Sequence, residues 1–391
     1  MLSGHDESLF HQAALPFSQT VTTDHRFYDR VFFAAFAPDG SSSAMLGMGV
    51  YKNMNVIDGF ACVVKDGKQH NIRASRPLRP QLETEVGPIR LEVIEPLKRL
   101  RFSIAPNEHG VALDLEYTAE IAPFLEGRWE GNHKIIHGRL ATDTQRFDGI
   151  GRWNGWIEVD GERIEVRDWC GGRDHSWGTR GGVGGYEPVN GPSEAAVGQG
   201  FFLGYFVFGD GRDMIGYCIW TEDGSGRYRS LEGALRWREA LNKPDLQLVG
   251  LGKDVHFPPD RRQYDRMQLA MQMEDGSRWL VEGRQALPGT VLKGYGGHGE
   301  GFKDKRGFGV YRGHLLEADV YDLQAEDMKA LPVETPLFIR VNGQDGGYGW
   351  GTVLATGELS QYGLKAQTLE QLRRYSIAVD NLDAGEWHPQ S

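Results

Sequence analysis

Residues 155–169 have the sequence GWIEVDGERIEVRDW, and this stretch decides the fold class. Apolar and polar side chains alternate on both sides of Asp160-Gly161. The alternating apolar residues are Ile157, Val159, Ile164 and Val166. A period of two is typical of a half-buried strand, and an Asp-Gly pair between two such runs indicates a tight hairpin. The stretch therefore predicts two antiparallel strands joined by a short turn.

The same pattern extends outward along the chain. Residues 267–284 repeat the device around Asp275-Gly276, and apolar residues also alternate along Val111–Ile121. Helical periodicity is scarce and occurs mainly in Leu364–Tyr375, with a brief trace near Asp24–Arg30. The pattern predicts an all-β protein with few short helices. Strands spaced about ten residues apart fit either a sandwich or a barrel.

Composition excludes several classes of protein. With 43 Lys+Arg and 54 Asp+Glu the net charge is −11, which disfavours nucleic acid as a partner. The longest apolar runs, Val31–Ala37 and Phe201–Phe208, are far shorter than the roughly 20 residues of a membrane span. The first residues, MLSGHDESLF, lack the basic and apolar segments of a secretory signal, so we expect a cytoplasmic protein. Three widely spaced cysteines predict neither a disulfide framework nor a zinc site.

A chain of 391 residues is long enough for two domains. The least patterned stretch is Gly178–Gly200, which is rich in glycine and suits a domain boundary or a lid. We place the division there, with an N-terminal domain of residues 1–185 and a C-terminal domain of residues 186–391 that ends in a short helix.

The densest group of candidate catalytic residues follows the 155–169 hairpin, in the string GGRDHSWGTRG at residues 171–181. His175 can transfer protons near neutral pH, and Asp174 could orient it, act as an acid or pair with Arg173. Trp177 could line a pocket. The alternative is a buried polar network that only ties the two domains together, because structural ion pairs form such clusters too.

This string, preceded by QRFDGIGRW at residues 145–153, resembles the tandem lipocalin-like proteins grouped with the carotenoid 1,2-hydratases (hydroxyneurosporene synthases) and their bacterial relatives. The order of segments in the second half, from residues 201–217 to residues 307–319, is similar as well. The resemblance implies two calycin-type antiparallel β-barrels packed together, with a hydrophobic ligand site near their junction.

In the hydratase branch, a His-x-Trp pair and a downstream Tyr-x-Asp pair are associated with protonation of an alkene. His175-Ser176-Trp177 matches the first pair, whereas Tyr205 has no carboxylate two residues beyond it. This departure puts carotenoid hydration itself in doubt. An acid–base mechanism would then take its carboxylate from Asp174, Glu232 or Glu300.

Further polar residues are candidates for ligand contacts. Residues 294–302, GYGGHGEGF, place Tyr295, His298 and Glu300 between glycines, which leaves room above a strand for a ligand. The alternative is a turn whose polar residues face water. His298 and Glu300 could in principle combine with His314 and Glu317 as metal ligands. Their spacing matches no familiar metal motif, so we predict no metal.

Together these patterns predict a cofactor-independent lyase, hydratase or isomerase that acts by general acid–base catalysis on a hydrophobic aromatic or terpenoid-like molecule in a barrel or inter-barrel cavity. The competing hypothesis is a lipocalin-like carrier without catalysis. The substrate stays unnamed, and the oligomeric state is open, with a homodimer admitted. The predicted catalytic residues are His175, Asp174, Arg173 and Tyr205, and the predicted substrate contacts are Trp177, Tyr51, Asn53, Phe202, Tyr295, His298 and Glu300.

Overall fold

The computed structural model describes residues 2–7, 9, 11–126, 132–136, 139–185, 200–295, 301–304, 306–368 and 371. Antiparallel strands make up most of this part of the chain, so the predicted all-β class is confirmed. Strands of the first half are β1 Phe27–Phe36, β2 Ser42–Tyr51, β3 Val56–Lys65, β4 Lys68–Pro77, β5 Glu85–Val86, β6 Ile89–Glu95, β7 Arg99–Ile104, β8 Val111–Ala119, β9 Phe124–Leu125, β10 Asn132–Ile136, β11 Arg139–Val159 and β12 Glu162–Thr179. Strands of the second half are β13 Phe201–Gly209, β14 Met214–Asp223, β15 Tyr228–Trp237, β16 Leu246–His256, β17 Arg266–Met273, β18 Arg278–Gln285, β19 Thr290–Val291, β20 Leu315–Asp322, β21 Val333–Val341 and β22 Gln344–Thr356.

Within the described ranges, helical structure is limited to short segments. Helix α1 spans Glu326–Lys329, and 3₁₀ turns occur at Gly4–Glu7, Lys52–Met54, Glu239–Leu241, Leu292–Tyr295 and Ser360–Tyr362. The helix predicted near Asp24–Arg30 is wrong, because β1 already begins at Phe27 and pairs on both edges. Residues 364–368 are not helical, and most of the remaining predicted C-terminal helix lies outside the described residues.

The strands form two large antiparallel sheets. The first is open and curved like half a barrel, in the order β20-β4-β3-β2-β1-β12-β11-β8-β7-β6-β5, with β9 and β10 paired to β11. The second follows the order β18-β17-β16-β15-β14-β13-β22-β21-β19 and closes into a barrel of eight strands, because β18 also pairs with β21. Fold and resemblance thus agree on barrel-type sheets.

The hairpin predicted within residues 155–169 is confirmed. Ile157 pairs with Ile164, and the turn residues Asp160 and Gly161 have φ values of 53° and 79°. Two consecutive positive φ angles match the right-handed twist of the flanking strands, and the Asp-Gly pair tolerates them.

Strands β1 and β13 are each buried on both faces, which explains why they contain the longest apolar runs. In β1, Phe33 packs in the core of the first sheet, whereas Phe32 faces the second sheet. In β13, Phe206 packs inside the closed barrel, whereas Val207 faces the first sheet. The two sheets therefore meet through an apolar layer that is separate from both barrel interiors.

The division at residues 185 and 186 stays a prediction, since it borders residues outside the described ranges. One strand of the second half, β20, lies in the first sheet, where Glu317 pairs with Arg73 of β4. The three cysteines are free and buried, as expected of core residues. In the described part of the chain, no helix is long and apolar enough to span a membrane.

Candidate functional site

A cavity of about 520 Å³ lies between the two sheets. The first sheet supplies β1, β11 and β12 as one wall, and the second sheet supplies β13, β14, β15, β21 and β22 as the other. The larger apolar side chains that line it are Tyr28, Phe32, Leu203, Ile219, Leu231, Leu292, Phe308 and Leu354. The lining also carries the charged groups Arg30, Glu126, Arg146, Asp174, Arg180, Glu232 and Glu334.

Strand periodicity places the charged groups of the first wall. In the β11–β12 ladder, Asp148 is directly opposite Asp174, and Arg146 is opposite Ser176. Side chains two residues apart lie on one face of a strand, so Arg146, Asp148 and Asp174 share the face that meets the second sheet. The main chain of Glu126 joins them, because its N–H donates to the Arg146 carbonyl at 2.8 Å.

Asp148 lies behind the cavity wall and is fully buried. The Tyr205 hydroxyl donates a 2.9 Å hydrogen bond to Asp148 Oδ1, whereas Asp148 Oδ2 is buried without a hydrogen-bond partner. Burial, and next the charge of Glu126, raise the pKa of Asp148 well above its usual range.

Arg146 is the cation at the centre of the acidic groups. Its guanidinium lies 3.5 Å from Glu126 Oε1 and 3.7 Å from Asp174 Oδ2, and 5.3 Å from the centre of the Tyr205 ring. Burial lowers the pKa of Arg146, but Glu126 and Asp174 outweigh this effect and hold it above its ordinary value. Arg146 therefore stays charged.

Glu334 faces this group from the second sheet. Its side chain accepts a hydrogen bond from the Thr352 hydroxyl through Oε1, and Oε2 is buried without a partner. Burial raises the pKa of Glu334 to about 7, and the charge of Asp174 adds to the rise. Burial also raises the pKa of Asp174, partly offset by Arg146.

The resulting arrangement has more carboxyl groups than nearby positive charge. Glu126, Asp174 and Glu334 line the cavity around Arg146, and Asp148 supports them from behind. Carboxyl groups this close together repel one another when ionised, so part of this set retains protons at neutral pH. A carboxyl group whose pKa is near 7 can both donate and accept a proton there.

Two of the four predicted catalytic residues lie at this cavity, and the other two do not. Asp174 and Tyr205 line it, whereas Arg173 and His175 lie on the opposite face of β12. His175 Nε2 is 2.7 Å from Asp29 Oδ1, and its ring packs against Phe147 at 5.1 Å. Asp174 therefore does not orient His175 by a hydrogen bond, and their shared catalytic role stays a prediction.

The predicted substrate contacts are dispersed. Trp177 borders a second cavity of about 360 Å³, together with Phe27. Tyr51 is buried and donates to Asp58 at 3.2 Å, Asn53 is exposed and binds main-chain carbonyls of the N-terminal segment, and Phe202 packs inside the closed barrel.

Only part of the predicted polar group at residues 294–302 falls within the described residues. Tyr295 ends a 3₁₀ turn, while His298 and Glu300 lie outside the described ranges. Glu317 forms a 3.2 Å ion pair with Arg73 in the first sheet. Of the side chains that the structure does describe, no group of three or more His, Cys, Asp or Glu could hold a metal ion. Glu232, one of the alternative carboxylates, lines the inter-sheet cavity and accepts a 2.9 Å hydrogen bond from Tyr217.

The sequence analysis did not identify four of the charged residues in or behind the cavity wall. Arg146 and Asp148 lie in the string QRFDGIGRW, where two charges with strand spacing beside glycines were an available signal. Glu126 and Glu334 carry no local signal, because only the pairing of distant strands brings them to the cavity.

Comparison with known proteins adds a fold and a family. A solved structure from Nitrosomonas europaea, described as a "putative AttH (NE1406)", aligns with a TM-score of 0.51 at 12% identity and covers 88% of this chain and 97% of that chain. At this identity the likeness concerns the fold alone. No curated protein matches the sequence. A family model described as "Family of unknown function (DUF8625)" matches residues 2–364, and the chain therefore belongs to that family.

Proposed function

We propose that this protein is a cofactor-independent enzyme that performs general acid–base catalysis on a small molecule bound between the two sheets. The reaction would be an elimination, a hydration or an isomerisation. The observation that supports this proposal is the position of Glu334 and Asp174, whose carboxyl groups have raised pKa values and line a cavity that has both apolar and polar walls.

The lining of the cavity combines apolar and polar side chains, which suits a substrate that has an apolar body and a polar end. Phe32, Leu203 and Leu354 offer apolar contacts, and the acidic group lines another part of the same cavity. Ligand sites typically combine such apolar walls with a few convergent polar groups. A hydrophobic aromatic or terpenoid-like molecule with one polar function would match both parts.

In this proposal Glu334 exchanges a proton with the substrate, because a pKa near 7 leaves both protonation states populated. Arg146 stabilises negative charge that develops on the substrate. Tyr205, whose hydroxyl donates to Asp148, can accept a hydrogen bond from the substrate at the wall. The mechanism assigns no step to His175, which faces away from the cavity.

Solvent deuterium gives a test that works while the substrate is unidentified. The protein is incubated in D₂O with an extract of hydrophobic metabolites, and mass spectrometry finds compounds that gain deuterium at carbon. Wild type should label at least one compound catalytically, and Glu334→Gln should not. Asp265→Asn is the control, since this carboxylate pairs with His256 in the second sheet and does not line the inter-sheet cavity. An extract that gains no label with wild type would contradict the enzyme.

The second candidate is a carrier for apolar metabolites, which is favoured by the barrel-type fold and by the apolar side chains that form part of the cavity wall. A carrier would retain a compound in stoichiometric amount without changing its mass. In that case Phe32→Ala would weaken retention, while Glu334→Gln would leave it intact.

A further inference from the structure

The second cavity, of about 360 Å³, differs in charge from the cavity between the sheets. It lies where β12 ends beside the start of β1, and Phe27 pairs there with Thr179. The described residues that line it include two carboxylates, Asp24 and Asp143, and no Lys, Arg or His. Three arginines line the inter-sheet cavity. A concave site that carries acidic groups without basic ones disfavours an anionic ligand.

The charge of the second cavity comes mainly from Asp143. Asp24 is neutralised by Arg26, whose guanidinium donates to its carboxylate at 2.8 Å and 3.1 Å. Among the described residues, the ion-pair neighbour of Asp143 is His133, whose Nδ1 lies at 3.1 Å and which is charged only if protonated. One carboxylate without a permanently charged partner therefore remains at the cavity.

The same cavity has aromatic and apolar walls. Trp177, Phe27 and Leu140 line it, and Leu140 is exposed. The Trp177 ring is fixed by edge contacts with Phe147 and His175, at 6.2 Å and 5.6 Å between ring centres. Aromatic side chains pack against apolar groups and attract cations over their ring faces. These walls suit an apolar group that carries a positive charge.

Gln145 supplies a hydrogen-bond acceptor that the described protein groups do not use. It is directly opposite Trp177 in the β11–β12 ladder, so both side chains lie on the same face of the sheet. Gln145 lines the second cavity, and its Oε1 is buried without a hydrogen-bond partner. A buried carbonyl oxygen in this state calls for a donor from a ligand or a water molecule.

We propose that the second cavity binds a primary amine in its ammonium form, attached to a small apolar or aromatic group. The ammonium donates a hydrogen bond to Gln145 Oε1 and is attracted by the Asp143 carboxylate and the Trp177 ring. The apolar group packs against Phe27 and Leu140. This ligand is distinct from the substrate of the proposed enzyme, and the two cavities share only Thr142 and Thr144 among their described lining residues.

The test is isothermal titration calorimetry of the full-length protein with three probes of similar shape, benzylamine, benzyl alcohol and benzoate. Benzylamine should bind about tenfold more tightly than benzyl alcohol, because only the amine adds a charge that Asp143 and Trp177 attract. Benzoate should bind more weakly than both. Equal affinity for the amine and the alcohol, or tighter binding of benzoate, would overturn the proposal.

Variants of the lining locate the bound amine. Asp143→Asn removes the charge, Gln145→Leu removes the acceptor and Trp177→Leu removes the ring. Each should raise the Kd of benzylamine by about 3- to 30-fold. If Trp177→Leu does not fold, Asp143→Asn decides the question, because the Asp143 side chain is 55% exposed and can change without disturbing the core.

Two matched variants leave the cavity intact. Asp345→Asn removes an exposed carboxylate that pairs with Arg340 in the second sheet, and Trp156→Leu removes a half-buried ring that stacks on Arg163. Both should bind benzylamine like wild type. A loss of affinity in these controls as large as in Asp143→Asn and Trp177→Leu would contradict the proposed position of the amine.

A further pair of variants separates this site from the inter-sheet cavity, which also contains carboxyl groups. Glu334→Gln and Phe32→Ala change only the inter-sheet lining and should leave the Kd of benzylamine unchanged. If they weaken binding and Asp143→Asn does not, the amine binds between the sheets and the proposal is wrong. Benzylamine binding by a wild type that labels no compound in D₂O would contradict the enzyme alone.

Discussion

The two faces of strand β12 carry one short motif into different environments. On one face Asp174 meets the second sheet at a cavity, beside Arg146 and across from Glu334. On the other face Arg173 and His175 belong to the first sheet, where His175 bonds to Asp29. Residues adjacent in sequence are thus separated by the thickness of a sheet, and a dense motif need not be one site.

The largest expected effect concerns proton transfer. Glu334→Gln and Asp174→Asn should each lower the rate of solvent-deuterium incorporation by roughly 10²–10⁴-fold, the usual contribution of general acid–base catalysis. His175→Ala should leave the rate nearly unchanged, because His175 is on the other face. The measurement is the initial rate of labelling by mass spectrometry. A loss with His175→Ala as large as with Glu334→Gln would break the distinction between the faces.

A second prediction concerns the close packing of the β12 face against the second sheet. A Cβ on Gly172 would lie 2.2 Å from the ring of Trp350, which is fully buried, and 2.4 Å from the Gly149 carbonyl oxygen. Gly172→Ala should therefore lower the free energy of unfolding by about 3 kcal/mol, as overpacking does. Urea unfolding measures this change.

The control for this prediction is Gly161→Ala at the hairpin turn, where nothing lies within 4 Å of the added Cβ but φ is +79°. That change should lower stability by about 1 kcal/mol through backbone strain alone. A loss for Gly172→Ala no greater than that for Gly161→Ala would show that the two sheets pack less closely than the Gly172–Trp350 contact requires.

Features that depend on residues close together in the sequence were predictable, whereas features that depend on contacts between distant segments were not. The hairpin around Asp160-Gly161 depends on neighbours in sequence, so alternation and turn chemistry sufficed. The pairing of β20 with β4 and the closure of β18 on β21 join distant segments, and no local pattern encodes them. Barrel architecture was expected only through the family resemblance.

The site shows the same limit. The period of a strand already separates Asp174 from His175, so their opposite faces were predictable once β12 was recognised as a strand. Glu126 and Glu334 were not predictable, because each reaches the cavity from a distant segment and follows no motif. The position of the cavity between the sheets follows from which faces of β1 and β13 meet, and strand periodicity alone does not determine this.

A third prediction concerns stability against pH. Glu334 has a pKa of about 7 when folded and an ordinary value of 4.5. The folded state therefore binds more protons between these values, and the free energy of unfolding should fall as pH rises from about 4.5 to 7, by at most about 3 kcal/mol from this residue. Urea unfolding at several pH values should show a smaller fall for Glu334→Gln. Parallel pH profiles would contradict the raised pKa.

The smallest predicted effect is that of the Tyr205 hydroxyl. Tyr205→Phe leaves Asp148 Oδ1 without its 2.9 Å hydrogen bond and should lower stability by about 1–2 kcal/mol. Tyr311→Phe, at an exposed tyrosine, should change stability by less than about 0.5 kcal/mol. Thermal unfolding compares the two variants, and equal melting temperatures would show that the buried hydrogen bond contributes nothing.

The most direct test of Glu334 as the proton-transfer group at the cavity is a measurement of its pKa. Protein labelled with ¹³C at the glutamate carboxyl is titrated by NMR, and the resonance absent from Glu334→Gln identifies the group. The structure predicts a titration midpoint of about 7. A midpoint near the ordinary value of 4.5 would contradict the assignment of Glu334 as the proton-transfer group.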